Sequence, residues 1–461
     1  MVSQLHAFIR WGNVDRQYTD VQMSDSAGKN VGYWEATAIG IGGMVGGGIF
    51  AVLGLSVDLT HGAAPLAFLL AGIVAVLTSY SYTRLSVTFP SQGGTVAFLD
   101  RAFGAGLLTG TANILLWISY IVMLSLYAYA FGSYGASLFP PSSHEFWKHV
   151  LISGSIVGIT ALNLLSAKLI GRAEDWIVLV KLVILTLFIA VGIWGVDADR
   201  LSVSAWPAPL HIAAGGMIIF LAYEGFELIA NSSDDVRSPA KTLPRAFYTS
   251  VGFVIVLYIL IAVVTVGTLP VDTIVGAKDY ALAVAARPSL GETGFLLIAV
   301  AAMLSTASAI NATLYGSARL SYVIAKDGEL PSALEKQVWH EPIEGLLITS
   351  GMTLVIANGL DLSNLSTMGS AGFLLIFAAV NAANAKLARK TGSRRWLSLT
   401  GVLLCLAALV SLFWQTAIRS VEQLWIPLLM TGLAFLVEVA FRITTGRTIR
   451  IPKSEGTQEN Q

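Results

Sequence analysis

The stretch GIGGMVGGGIF, Gly40 to Phe50, holds six glycines in eleven residues, inside an apolar run long enough to cross a bilayer. Glycine weakens a helix by about 1 kcal/mol per residue relative to alanine. In return it gives backbone freedom and close approach. A helix broken at membrane depth survives only where it lines a cavity or is buried in protein. Such a break leaves unpaired N–H groups at one half-helix end and unpaired C=O groups at the other. The N–H end carries partial positive charge and suits a carboxylate, while the C=O end suits an ammonium. One interrupted helix therefore offers both poles that a zwitterionic amino acid needs. A second stretch, GGMIIFLAYEGFELIANSSDD from Gly215, sets Glu224, Gly225 and Glu227 into another apolar run. The competing account of the first stretch is small-xxx-small helix packing through Gly42/Gly46 and Gly43/Gly47. The matching interruption in the second stretch weighs against it.

Lys181 is the other group able to do chemistry. It lies about two turns into the apolar part of RAEDWIVLVKLVILTLFIAVGIW, which starts at Arg172. A central lysine costs about 2.5–3.5 kcal/mol on insertion scales. Either it snorkels to the interface, or its proton is part of the mechanism, with burial and neighbouring carbonyls acting on it in opposite senses. Glu224 is open in a similar way. It is either a side-chain pocket group that favours cationic or amine substrates, or a helix-end carboxylate satisfied by free N–H groups. The six histidines show no metal-binding spacing, and the single cysteine, Cys405, excludes a disulfide framework within one chain. No cofactor or metal enters this reading.

The elements that must position these groups follow from composition. Of 461 residues, 55% are apolar and 12% charged, at zero net charge. Soluble domains carry about 25% charged residues. The balance points to an all-α, polytopic membrane protein embedded in a lipid bilayer, with no basic surface for nucleic acid. Twelve apolar segments are expected near 33–57, 63–88, 106–136, 147–166, 173–195, 211–232, 246–269, 293–324, 343–360, 365–388, 396–415 and 423–441. With the N-terminus in the cytoplasm, cytoplasmic tails and loops hold 22 of the 28 Lys and Arg. External loops hold Lys148, Arg200, Lys278, Arg287 and Arg419. The positive-inside rule predicts this asymmetry, with both termini cytoplasmic.

Segments one to five and six to ten each begin with an interrupted span. Five is odd, so the second copy must be inverted. Paired interruptions at matching places in two halves point to a transporter's binding site. The expected organisation is a tail at 1–32, a first repeat at 33–195, an inverted repeat at 211–388, two added helices at 396–441 and a tail at 442–461.

Several stretches together resemble the amino acid–polyamine–organocation (APC) superfamily, in its amino acid permease branch. Gly40–Phe50 is similar to the first-helix pattern. FLAYEGFELIANSSDDVRSPAKTLP from Phe220 resembles the sixth-helix signature, and STASAINATLYGSARLSYVIAKDGELP from Ser305 resembles the eighth helix and its loop. RLSVTFPSQGGTVAFLDRAFG from Arg84 resembles the connection between the second and third helices. The resemblance covers about 33–390. It implies a leucine-transporter-type 5+5 inverted repeat with discontinuous helices 1 and 6. The carboxylate-binding amides then fall on Val45, Gly46, Gly47 and Gly48. The amine-binding carbonyls fall near Ile41, Gly42, Phe220, Ala222 and Tyr223, with Glu224 beside them. Lys181 resembles the fifth-helix lysine of proton-coupled relatives, where its ammonium substitutes for a sodium ion. Ser305 and Thr306 are its expected neighbours, although sodium sites also use helix-8 hydroxyls.

The expected function is secondary active transport of amino acids across the plasma membrane by alternating access, with proton symport. Alternatives are an amino acid/amine exchanger and a cationic amino acid or polyamine transporter. A membrane-embedded enzyme is a distant alternative, because no nucleophile–base pair clusters in the spans. The substrate itself is not legible, since the expected contacts to the zwitterion are backbone.

Overall fold

In hydrocarbon every backbone N–H and C=O must be satisfied within the protein, which makes helices of the apolar segments. The computed structural model describes residues 31–445 apart from 92, 105, 166, 327–342 and 420. Most of the expected N-terminal tail, the chain beyond 445 and the connection at 327–342 lie outside the described residues.

The first apolar segment forms two helices, α1 (Tyr33–Met44) and α2 (Gly48–Thr60), separated at Val45–Gly47. They are followed by α3 (Ala64–Thr88), the short α4 (Gly94–Phe103), α5 (Leu107–Ala136), α6 (His144–Leu165) and α7 (Ala167–Gly192). The sixth segment is α8 (Pro209–Ile218), a 3-10 segment (Phe220–Glu227) and α9 (Leu228–Asn231). Then come α10 (Pro239–Thr268), α11 (Val271–Gly276) and α12 (Ala281–Lys326), kinked where Gly291 takes φ 62°. The chain continues through α13 (Ile343–Gly359), α14 (Leu362–Lys386), α15 (Ala388–Thr391), α16 (Arg395–Arg419) and α17 (Trp425–Thr445).

Each of the twelve apolar segments thus falls on helix. Eight helical stretches among the described residues are long and apolar enough to cross a bilayer, or nine if the pair bent by 44° at segment six counts as one. Alone, α1 and α13 fall short, at 12 and 17 residues.

The centre of the bundle is α5, thirty residues and therefore about 45 Å long. It packs against α6, α12, α13, α14 and α17. On α7, Lys181, Leu185 and Phe188 are buried at helical spacing, whereas Leu179 and Val183 are 52% and 58% exposed. An exposed apolar face opposite a buried one fits lipid as the outer solvent. Between helices, Asn381 and Asn384 of α14 bond Ser81 of α3 and Ser398 of α16, the polar glue expected inside a membrane bundle.

The two interruptions meet. A Cβ built at Gly225 would lie 2.3 Å from the Gly43 carbonyl carbon, and one at Gly48 would lie 2.8 Å from Ala222 Cα. Only glycine lets these backbones touch. Gly225→Ala is therefore expected to destabilise the protein by about 1–3 kcal/mol through overpacking. Gly158→Ala, at a lipid-side position with open space, should leave the melting midpoint unchanged or slightly raised. Equal midpoints for the two variants would contradict the close contact.

Candidate functional site

The site is built from peptide groups that the helices cannot use. At the end of α1, Val45 N–H still reaches the Ile41 carbonyl at 2.8 Å, and Gly46 N–H reaches the Gly43 carbonyl at a long 3.4 Å. Gly47 then caps α2, its carbonyl accepting from Ala51 N–H at 3.0 Å. The carbonyls left over at this break take donors from other helices. Lys181 Nζ on α7 donates to the Gly42 carbonyl at 3.2 Å. Tyr258 on α10 donates to the Met44 carbonyl at 2.6 Å and lies 3.3 Å from the Ala222 carbonyl, so one hydroxyl joins the two interruptions. Ser305 on α12 donates to the Val45 carbonyl at 2.9 Å and contacts the Gly46 carbonyl. The Lys181 ammonium therefore sits at the negative pole of α1, where a cation is favoured.

The second interruption is wound differently. The chain continues as 3-10 turns from Phe220 to Glu227, with Ala222 N–H on the Ile219 carbonyl at 3.0 Å. Ser366 and Ser370, one turn apart on α14, both donate to the Ile218 carbonyl at 2.7 Å. Ser370 also accepts from Leu221 N–H at 3.1 Å. Phe220 meets Phe377 edge-on, and Tyr223 donates to the Phe68 carbonyl at 3.0 Å. Both rings are held at their tips or edges rather than left loose.

Most of the expected site residues come together here. Val45, Gly46, Gly47 and Gly48 line one side, and Phe220, Ala222, Tyr223 and Glu224 the other, all buried. Ile41 and Gly42 are partly exposed at the rim. Lys181 is 2% exposed, so it does not reach for the interface. Ser305 lies on the first interruption, whereas Thr306 does not: its hydroxyl bonds back to the Ala302 and Met303 carbonyls of its own helix.

Two features were not singled out from sequence. Tyr258 and the Ser366/Ser370 pair are ordinary residues of apolar helices, and only the fold brings them to the breaks. In the sequence Glu227 only marks an interruption. It is a fully engaged carboxylate, taking Tyr120 on one oxygen, and Tyr82 at 3.0 Å and Thr95 at 3.3 Å on the other. Among the described residues no His/Cys/Asp/Glu group is arranged to hold a metal ion.

Two interruptions joined by one tyrosine hydroxyl, the first also held by a buried lysine, meet inside an apolar bundle. A model described as amino acid permease matches residues 31–436. The chain belongs to the amino acid permease family.

An uncharacterized protein of Methanocaldococcus jannaschii is 35% identical to this permease over 422 residues, covering 91% of this chain and 97% of that one. The inner membrane transport protein YbaT of Escherichia coli is 33% identical over 394 residues, 85% and 91% of the two chains. The methylthioribose transporter of Bacillus subtilis is 28% identical over 397 residues, 80% and 83%. The permease is thus an integral, multi-pass membrane protein. Its family places it in amino acid transport, and two of these relatives carry transporter names.

Tyr258→Phe removes the hydroxyl that bridges the breaks and leaves the Met44 carbonyl short of a donor. The expected loss is about 1–3 kcal/mol, the cost of an unsatisfied buried group. It should read as a lower melting midpoint in detergent with unchanged helical content. An unchanged midpoint would show that the bridge contributes nothing.

Proposed function

We propose that this permease is a proton-coupled amino acid symporter of the plasma membrane working by alternating access, with no covalent step. In this reading twelve spans form a 5+5 inverted repeat, 33–195 and 211–388, followed by the two helices of 396–441, with both termini cytoplasmic. The substrate carboxylate takes the amides of Gly47 and Gly48, and those of Val45 and Gly46 once they leave the Ile41 and Gly43 carbonyls. Its ammonium takes carbonyls among Ile41, Gly42, Phe220, Ala222 and Tyr223. The observation that carries the reading is the meeting of the two interruptions, Gly43 against Gly225 and Gly48 against Ala222.

Contacts at both ends of the bundle suit an occluded state. At the start of α1, Val31 N–H donates to the Asp235 carbonyl at 3.1 Å, and Arg237 N–H to the Val31 carbonyl at 2.8 Å. Past the other end, Asp58 pairs with Arg419 at 3.0 Å and with Lys278 at 3.9 Å. Opening to either side must break one set and keep the other. Each set is small, which suits reversible gating.

Lys181 supplies the coupling. As an ammonium it holds the α1 end through the Gly42 carbonyl. Losing its proton removes the charge from that contact and frees α1 to move. Ser305 steadies the same break on the α12 side.

Proteoliposomes offered a labelled mixture of the twenty proteinogenic amino acids test this. An inward proton gradient is expected to drive accumulation, and replacing sodium with another monovalent cation should not change it. Lys181→Met should abolish accumulation while sparing exchange of labelled for unlabelled substrate. Undiminished accumulation by Lys181→Met, or a sodium requirement, would overturn the coupling role.

A further inference from the structure

We infer that Glu224 carries a proton while the two interruptions are closed on each other and gives it up when they part, so that it binds a second coupling proton beside the substrate carboxylate. The inference rests on the reading of the interruptions as the substrate site.

Glu224 and Glu227 are one turn apart and both buried, yet their surroundings are opposite. Glu227 takes hydroxyl contacts on both oxygens, from Tyr120, Tyr82 and Thr95. An ionised carboxylate is acceptor-only, and Tyr120 on one oxygen with the linked Tyr82–Thr95 hydroxyl pair on the other answers that need. Glu224 is 4% exposed. Its Oε1 has one long contact, Tyr127 OH at 3.4 Å, and its Oε2 has no hydrogen-bond partner. A buried charge without partners is far more costly than a neutral carboxyl.

The titratable groups around it come from each neighbouring element. Glu227 and Tyr223 share its 3-10 segment, Tyr82 lies on α3, Tyr120 and Tyr127 on α5, and Tyr258 on α10. The charged residues of α1 and α2, Glu35 and Asp58, lie near the outer ends of those helices. On α14 the charge is Lys386, at its last residue. Lys181 of α7 is engaged with Gly42. None of these groups sets a positive charge against Glu224, and an ionised Glu227 would add a negative one.

The space around Glu224 favours a proton over a larger cation. Two places before it, Ala222 touches Gly48, and immediately after it Gly225 touches Gly43. The Tyr127 ring covers Gly47, where a Cβ would fall 2.2 Å from Cδ1. A proton needs no cavity; an ammonium group does. Tyr127, whose ring covers Gly47 and whose hydroxyl meets Glu224, leaves one side chain between Glu224 and the amides proposed for the substrate carboxylate. An ionised Glu224 repels that carboxylate and a neutral one does not, so the loaded closed state requires the proton.

Infrared spectra of the permease in liposomes, without substrate, read this directly. The wild type is expected to show the C=O stretch of a protonated carboxyl in a dry site at neutral pH. Glu224→Gln should remove the band, and Glu227→Gln should keep it. Tyr127→Phe, which leaves the carboxyl in place, should shift its frequency, and this variant serves if Glu224→Gln does not fold. A band that survives Glu224→Gln, that disappears in Glu227→Gln, or that ignores Tyr127→Phe would overturn the inference. No transport is measured, so failure of the symport reading would show separately, as absent uptake with the band intact.

Discussion

Backbone touching backbone between two interrupted helices is the constraint on which the rest of this protein depends. Gly43 against Gly225, and Gly48 against Ala222, leave no room for a side chain at the glycine positions. Two helix ends brought this close place peptide groups where no i→i+4 partner exists. In a soluble protein water would take them. Here the surroundings are apolar, so the neighbouring helices must supply the partners.

They do so from several directions. A lysine, a tyrosine and a serine from α7, α10 and α12 hold the carbonyls of Gly42, Met44, Val45 and Gly46, and paired serines on α14 hold Ile218. Each of these donors is a side chain that a rotamer change can withdraw. A break satisfied in this manner can stay closed with no ligand present.

Those features that break a local rule were legible in the sequence. Six glycines in an apolar run, two glutamates in another and a lysine in a third each violate the composition of a lipid-facing helix, and all three are brought to the two interruptions. The buried face of α7 also follows from period: Lys181, Leu185 and Phe188 share one side. What the sequence did not show depends on fold or on rotation about a helix axis. Adjacent hydroxyls at Ser305 and Thr306 point about 100° apart on an α-helix, and only Ser305 reaches the break. The donors around Glu227 come from α3, α4 and α5, more than 100 residues away in the chain. The 3-10 winding of Phe220–Glu227 likewise has no marker in composition beyond the fact of interruption.

The most direct measurement is a cryo-electron microscopy map of the permease saturated with the twenty proteinogenic amino acids together. Their side chains would average out, but the shared α-amino and α-carboxyl groups would not. The account predicts density for that common part between the amides of Val45–Gly48 and the carbonyls of Phe220–Tyr223. Density lodged elsewhere, or a map in which both interruptions wind on as continuous helix, would contradict it.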